Sequence, residues 1–313
     1  MKRILSLVVI ASALAVSAEA RTRYILRYTE SEPLEQFLAR YGLVRESSVS
    51  GRPIHAVVDP RGRRPKTLIQ RISDDTDDDV SIEVDQRVSL PIRAFRQPQQ
   101  SSLADLLWAA GQTRITSFYG VQVPAGVIEQ RPLSAIMAPK SWAVHGVGTG
   151  LVAVIDTGVD LDHPFFAGAL EPGLDFVTAS GSGSELTGLP PEVQALINPT
   201  TTPLLQKMSH LSNGHAPFFE REVRTNAAYS SIPIGLGHGT MVAGAIRLVA
   251  PGARILPIRT FTQDGTASLY NVIRSIHAAE DRGADVINMS FNLLLPSTEL
   301  VRTCDELSDR GVI

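Results

Sequence analysis

The stretch LVAVIDTG at residues 151–158 decides the fold class. Its first five residues are uninterrupted and apolar, which is typical of a central parallel strand that is buried on both faces. The run stops at Asp156, and the sites of α/β proteins lie at the carboxyl ends of such strands. These residues predict an α/β domain with a parallel sheet and a functional carboxylate at Asp156.

The sequence Asp-Thr-Gly at residues 156–158 would also suit an aspartic protease. That class pairs two such carboxylates, whereas this chain has a single Asp-Thr-Gly sequence. A second motif, GHGTMVAG at residues 237–244, places His238 among small residues at the predicted start of a helix. A serine hydroxyl is a poor nucleophile at neutral pH and needs an adjacent imidazole to take its proton, which is chemistry that a histidine supplies.

Both motifs resemble those of the subtilisin-like serine proteases, the subtilases. VIDTGVD at residues 154–160, followed by His163 and Pro164, is similar to the family's Asp motif, and HGTMVAG at residues 238–244 is similar to its His motif. The resemblance implies that His238 is the general base and that Asp156 holds its imidazole in the required tautomer. The surrounding motif disfavours the alternative that His238 only caps its helix. Gly239 and Gly244 are expected to let that helix lie close against neighbouring backbone.

The resemblance extends over residues 131–313, with a predicted insertion at 166–233 between the two motifs. Further strands are expected at 254–259 and 283–290 and a helix at 269–282. The resemblance also implies two walls of a substrate cleft, which are formed by Gly265, Thr266 and Ala267 and by Ser290, Phe291 and Asn292. Asn292 stands where the family has glycine. No cofactor is expected, and because Phe165 replaces the acid expected after Pro164, no calcium site is assigned.

The nucleophile is the missing part of the pattern. The chain contains no Gly-Thr-Ser sequence, and in GTAS at residues 265–268 the serine is displaced by one position. The family's oxyanion asparagine is absent too. The chain is therefore interpreted as an inactive fragment of a serine endopeptidase that acts on polypeptides. The alternative is a secreted, non-catalytic protein, derived from a subtilase, that binds peptides or acts like a chaperone.

The N-terminus has the pattern of a signal peptide at residues 1–20. A basic start, MKR, is followed by an apolar run too short to span a bilayer comfortably and by small residues up to Ala20. Cleavage after Ala20 predicts a secreted or periplasmic protein with no remaining membrane segment. Cys304 is the only cysteine, so no intrachain disulfide can form, and it is interpreted as a half-buried structural thiol rather than a nucleophile.

Residues 21–95 are predicted to form a small α/β domain. The pattern is strand, helix, strand, helix, strand, at residues 23–28, 33–41, 55–58, 65–72 and 80–84. The closing SIEVD at residues 81–85 resembles the last strand of subtilase propeptides, which implies a ferredoxin-like domain that inhibits its own enzyme. Residues 96–130 are interpreted as a linker and processing region. The predicted architecture is thus a ferredoxin-like propeptide before an incomplete, doubly wound catalytic domain.

Other patterns are assigned no function. The net charge of -3, with scattered basic residues, disfavours nucleic-acid binding. The glycines at residues 146–150 precede a strand, whereas a phosphate loop follows one. His210 and His215 lack metal-ligand spacing and are interpreted as exposed loop residues. DDTDDD at residues 74–79 is interpreted as a solvated loop rather than a cation site, and RGRR at 61–64 as an exposed turn rather than a processing site.

Overall fold

The computed structural model describes residues 21–77, 79–91, 115–129, 131–178, 181–191, 193 and 233–313. The predicted signal peptide, His210 and His215 lie outside the described residues. The chain divides into two compact units, residues 1–84 and 85–313. Within the described parts, no helix has the length and apolar character needed to cross a membrane.

The first unit has the element order βαββαβ. Its strands and helices are β1 Arg23–Tyr28, α1 Leu34–Tyr41, β2 Val44–Ser48, β3 Ile54–Val58, α2 Pro65–Asp75 and β4 Val80–Val84. The sequence pattern predicted five of these six elements and missed β2. That strand reads VRESS and is mostly exposed, so it lacks the apolar alternation that marks a strand in sequence.

The four strands of this unit form an antiparallel sheet in the order β2-β3-β1-β4. The apolar faces of both helices contribute to one core. Its buried members are Tyr24, Leu26, Tyr28, Phe37, Leu38, Tyr41, Leu43, Val57, Leu68, Ile72, Val80 and Ile82. Helix α1 ends at Gly42, which adopts a left-handed φ of 63° and closes the helix with its N–H.

The turn at residues 61–64 is only partly the exposed turn that the sequence predicted. Arg61 and Arg64 are exposed, but Arg63 donates from Nε to the fully buried Asp59 carboxylate over 2.8 Å. The same guanidinium donates to the Tyr41 carbonyl at 2.6 Å. Hydrogen bonds from Arg63 lower the pKa of Asp59, so this arginine has a structural role.

The second unit begins with β5 Arg87–Ser89. It continues with β6 Ile115–Phe118, β7 Val121–Pro124, α3 Ala125–Ile128, α4 Arg131–Ala135, α5 Ala138–His145, β8 Leu151–Asp156, β9 Leu174–Asp175, α6 His238–Val249, β10 Arg254–Arg259, β11 Thr266–Ser268, α7 Leu269–Asp281, β12 Val286–Asn288 and α8 Thr298–Asp309. A short 3-10 helix covers Pro164–Phe166.

Among the described residues, four parallel strands form the central sheet of this unit, in the order β12-β8-β10-β9. β10 lies on one side of β8 and β12 on the other, so the direction of strand addition reverses at β8. This reversal is the signature of a doubly wound sheet, and ligand sites form outside the strand ends at such a point. Ile313 extends the hydrogen bonding at the β12 side, because its N–H donates to Asp285 and its carbonyl accepts from Ile287.

Two segments that the sequence assigned to a linker and to an insertion contain strands. Residues 115–124, expected in the linker, form the β6–β7 hairpin, and Phe118 and Val123 pack in one core with Val154 and Ile255. Within the predicted insertion, β9 pairs with β10 as the edge strand of the sheet. Both segments are short, and their strand character depends on long-range packing that local pattern does not reveal.

Candidate active site

Asp156 is the last residue of β8 and is fully buried. Its carbonyl accepts hydrogen bonds from Thr260 and Phe261, which follow the neighbouring strand β10. One carboxylate oxygen, Oδ1, accepts from the Thr157 N–H at 2.7 Å. The sheet and the following turn therefore fix this carboxylate in place.

His238 is the first residue of α6 and is 5 % exposed. Gly237 precedes it with a φ of 86°, a left-handed conformation that glycine adopts without steric cost. The chain therefore turns sharply into the helix and directs the imidazole toward the end of β8.

The structure brings the two sequence-predicted residues into direct contact. His238 Nδ1 lies 2.8 Å from Asp156 Oδ1 and 2.9 Å from Oδ2. A carboxylate only accepts hydrogen bonds, so the imidazole carries a proton on Nδ1 in this pair. The Nε2 lone pair is then the basic position of the neutral ring, as a general base requires.

Gly239 allows the start of α6 to lie close to the turn that follows β8. A Cβ at Gly239 would lie 2.0 Å from the Gly158 carbonyl oxygen and 3.2 Å from the Asp156 side chain. The Gly239 N–H donates to Thr157 Oγ1 at 3.1 Å. The close approach expected at Gly244 is not found, because a Cβ added there meets none of the described residues within 4 Å.

Four of the six residues expected to form the cleft walls pair with one extended segment, residues 85–90. In β11, Thr266 pairs with Ser89 and Ala267 with Val88, in antiparallel register. On the other side, Asn292 exchanges two backbone hydrogen bonds with Ser89, at 3.2 and 2.8 Å. β5 and β11 thus form a two-stranded sheet, and an isolated bridge joins Ser89 to Asn292 on the other side of β5. Peptide-binding proteins pair with an extended ligand through backbone hydrogen bonds of this kind.

Both ends of this segment are also anchored. The Leu90 N–H donates to the Gly265 carbonyl at 2.9 Å, and the Leu269 N–H donates to Gln86 at 2.9 Å. Val88 is fully buried and Leu90 is 5 % exposed. The other two wall residues have contacts away from this segment, since Phe291 packs on Phe261 and the Ser290 hydroxyl donates to Asn288.

The comparisons with known proteins agree with these motifs. The model of the subtilase family matches residues 148–309, a range that holds both Asp156 and His238. The chain belongs to the subtilase family.

Two curated relatives of this subtilase are proteases by name. Thermitase of Thermoactinomyces vulgaris is 25% identical over 178 residues, which are 57% of this chain and 50% of thermitase. The thermophilic serine proteinase of Bacillus sp. strain AK1 is 26% identical over 174 residues, which are 55% of this chain and 34% of that protein. The chain thus spans half or less of these relatives' lengths.

A solved structure shares the fold. Fervidolysin from Fervidobacterium pennivorans, described as a keratinolytic enzyme related to subtilisin, aligns with a TM-score of 0.54 at 17% identity. The alignment covers 94% of this chain and 39% of fervidolysin. It supports the assignment of the subtilase α/β fold with its parallel sheet.

Sequence reasoning missed one titratable residue of the subtilase site, Glu185. Its side chain is 3 % exposed and lies beside α6. Burial raises the pKa of Glu185 to about 7, while hydrogen bonds from Thr240 and Gly237 act in the opposite direction. The residue lies in the predicted insertion, within GSGSELTG, where no local motif marks it.

The described residues offer no evident metal centre. No three His, Cys, Asp or Glu side chains converge in the described ranges in a way that could hold an ion. Phe165, which replaces the acid expected there, is buried and stacks on Phe118 with ring centroids 6.0 Å apart. Cys304 lies on α8, and burial raises the pKa of its thiol, which disfavours the reactive thiolate.

Proposed function

We propose that this subtilase is a secreted serine endopeptidase that hydrolyses peptide bonds by acyl transfer. The observation that carries the proposal is the buried contact of 2.8 Å between His238 Nδ1 and Asp156. His238 would take the proton of a serine hydroxyl as that oxygen attacks the scissile carbonyl, and would then deliver the proton to the leaving amine. Asp156 would orient the ring and stabilise the imidazolium that forms.

The proposed mechanism includes a nucleophilic serine and an oxyanion donor because the subtilase family uses them. The 313 residues contain no Gly-Thr-Ser sequence, so we expect this polypeptide by itself to be inactive. Export is proposed from the pattern of residues 1–20, with cleavage after Ala20.

The test is casein hydrolysis by the protein produced from its complete reading frame. We expect hydrolysis that a serine-directed organophosphorus inhibitor abolishes, whereas the polypeptide of residues 1–313 should show none. Absence of inhibitor-sensitive hydrolysis would reject the proposal. If residues 1–313 then bound peptides without cleaving them, the non-catalytic alternative would be favoured. Clear activity of residues 1–313 would instead identify an unexpected nucleophile, such as Ser268 or Ser290.

The first unit is proposed to be a ferredoxin-like propeptide, and residues 85–90 its inhibitory tail. Its βαββαβ order and the sheet order β2-β3-β1-β4 support a ferredoxin-like fold. The tail follows β4 directly and pairs through its backbone with Thr266, Ala267 and Asn292. A polypeptide substrate could use the same backbone groups, so the tail and a substrate would compete for them.

Replacing Val88 by Asp is expected to release this tail in the 313-residue chain. Val88 is fully buried, and its burial contributes about 1.5–3 kcal/mol, which corresponds to a roughly tenfold to hundredfold change in the bound population. Hydrogen exchange at the Ser89, Leu90 and Asn292 amides should accelerate accordingly. Arg87→Ala is the matched control, because Arg87 lies in the same strand but is exposed. Unchanged protection in Val88→Asp would contradict tail binding through this side chain.

A further inference from the structure

Glu185 accepts hydrogen bonds from residues on both sides of His238, from a backbone N–H before it and from a side-chain hydroxyl after it. Its Oε2 accepts a hydrogen bond from the Gly237 N–H at 3.0 Å. Its Oε1 accepts from the Thr240 hydroxyl at 2.5 Å. One carboxylate therefore holds the residue before His238 and the residue two positions after it.

The Thr240 hydroxyl extends this network to the segment that follows Asp156. The Asp160 N–H donates to Thr240 Oγ1 at 2.8 Å, while the hydroxyl proton is donated to Glu185. The hydroxyl thus accepts one hydrogen bond and donates another. The network joins the segment after β8 to the first turn of α6.

Glu185 is itself fixed to the segment after Asp156. Its N–H donates to the Val159 carbonyl at 3.2 Å, and the Val159 N–H donates to Gly183 at 2.9 Å. Gln263 Nε2 donates to the Glu185 carbonyl at 3.3 Å. The carboxylate is therefore presented to α6 from backbone that is already bound to the Asp156 side of the site.

Burying the Glu185 carboxylate costs free energy, because a charged group loses its hydration. An apolar residue of similar size would fill the space without desolvating a charge. Desolvation is the largest cause of the raised pKa of Glu185, and the nearby carboxylates of Asp160 and Asp156 raise it further. The hydrogen bonds from Gly237 and Thr240 offset this cost, and an apolar side chain could not accept them.

We propose that Glu185 is a positioning residue that holds the imidazole of His238 against Asp156 by binding Gly237 and Thr240. We call the hydrogen bonds from Gly237 and Thr240 to Glu185 the tether. Its consequence for catalysis rests on the proposed function, whereas the tether itself concerns only the geometry of His238 and Asp156. Loss of the tether should loosen the first turn of α6 and expose the Nδ1 proton of His238 to exchange with water.

The test follows the Nδ1 proton by NMR in the 313-residue chain with 15N-labelled histidine. A proton between imidazole and carboxylate gives a far-downfield resonance when it is shielded from exchange. We expect this resonance in the native chain, a shift of it in Glu185→Gln, and its loss in Glu185→Ala and Thr240→Val. The glutamine carbonyl oxygen should still accept from the Gly237 N–H, but the amide nitrogen that then faces Thr240 cannot accept from its hydroxyl.

The chain offers a matched control pair in α8. Thr303 is fully buried, and its hydroxyl donates to Oε1 of the buried Glu299 at 3.5 Å. Glu299→Gln and Thr303→Val should leave the resonance of His238 unchanged. If they abolish it as Thr240→Val does, the effect reflects general destabilisation and the proposal is overturned.

A resonance that persists unchanged in Glu185→Gln and Thr240→Val would also overturn the proposal. Should Glu185→Ala fail to fold, these two nearly isosteric variants decide the question. The readout does not depend on proteolysis. A complete protein without protease activity would therefore reject the proposed function while leaving the tether measurable.

Discussion

Replacement of Asp156 by Asn is expected to lower kcat of the protein made from the complete reading frame by about 10⁴-fold. Asparagine has nearly the same shape, but its amide can donate toward Nδ1, which now lies 2.8 Å from a carboxylate oxygen. The ring would then favour the tautomer with its proton on Nε2, which cannot act as a base toward a serine hydroxyl. Initial rates of peptide hydrolysis would measure the loss.

The loss should fall on kcat and leave KM within a few-fold, because the interaction is used in the transition state rather than in substrate binding. Asp162→Asn is the matched control, since Asp162 is an exposed carboxylate close to Asp156 in sequence. It should retain full activity. If Asp156→Asn kept more than about a tenth of the native kcat, the proposed role of Asp156 would be wrong.

The contact between Asp156 and His238 was predictable because both residues belong to short motifs that resemble those of the subtilases. An apolar strand that ends in an acid and a histidine that opens a helix are both visible within eight residues of sequence. The carboxyl end of a parallel strand is a usual place for a site in an α/β protein, and the resemblance implied that His238 meets Asp156 there. The 82 positions between the two residues did not matter for this inference.

Glu185 and residues 85–90 were not predictable in the same way. Glu185 stands in a glycine- and serine-rich stretch that predicts a loop, and its partners lie 52 and 55 positions away. Strand β5 is three residues long, and its pairing with β11 joins segments that are far apart in sequence. Such features arise from tertiary packing, which overrides weak local preference.

The fold was predicted best where apolar periodicity is strong. The bounds predicted for β1, β4 and β10 agree with the structure, because these strands carry buried apolar residues along their length. The polar strand β2 and the β6–β7 hairpin were missed for the opposite reason. The close approach expected at Gly244 was not found among the described residues. A glycine in a motif does not by itself show which neighbour leaves no room for a side chain.

Replacement of Gly239 by Ala is expected to destabilise the second unit by about 3 kcal/mol, the upper end of the usual range for overpacking. The new Cβ would lie 2.0 Å from the Gly158 carbonyl oxygen, far inside van der Waals contact. That oxygen belongs to the backbone, so it cannot move aside as a flexible side chain would. Relief requires α6 to shift away from β8, which would also lengthen the contact between His238 and Asp156.

Gly244→Ala is the control for this prediction, because it adds the same methyl group to the same helix. In the part of the chain that the structure describes, a Cβ at residue 244 meets nothing within 4 Å, and alanine is favoured over glycine inside helices by about 0.5–1 kcal/mol. Urea unfolding of the 313-residue chain should therefore show a lower unfolding free energy for Gly239→Ala and an unchanged or higher one for Gly244→Ala. Equal effects of both substitutions would mean that helix propensity, and not the approach of α6 to Gly158, determines the outcome.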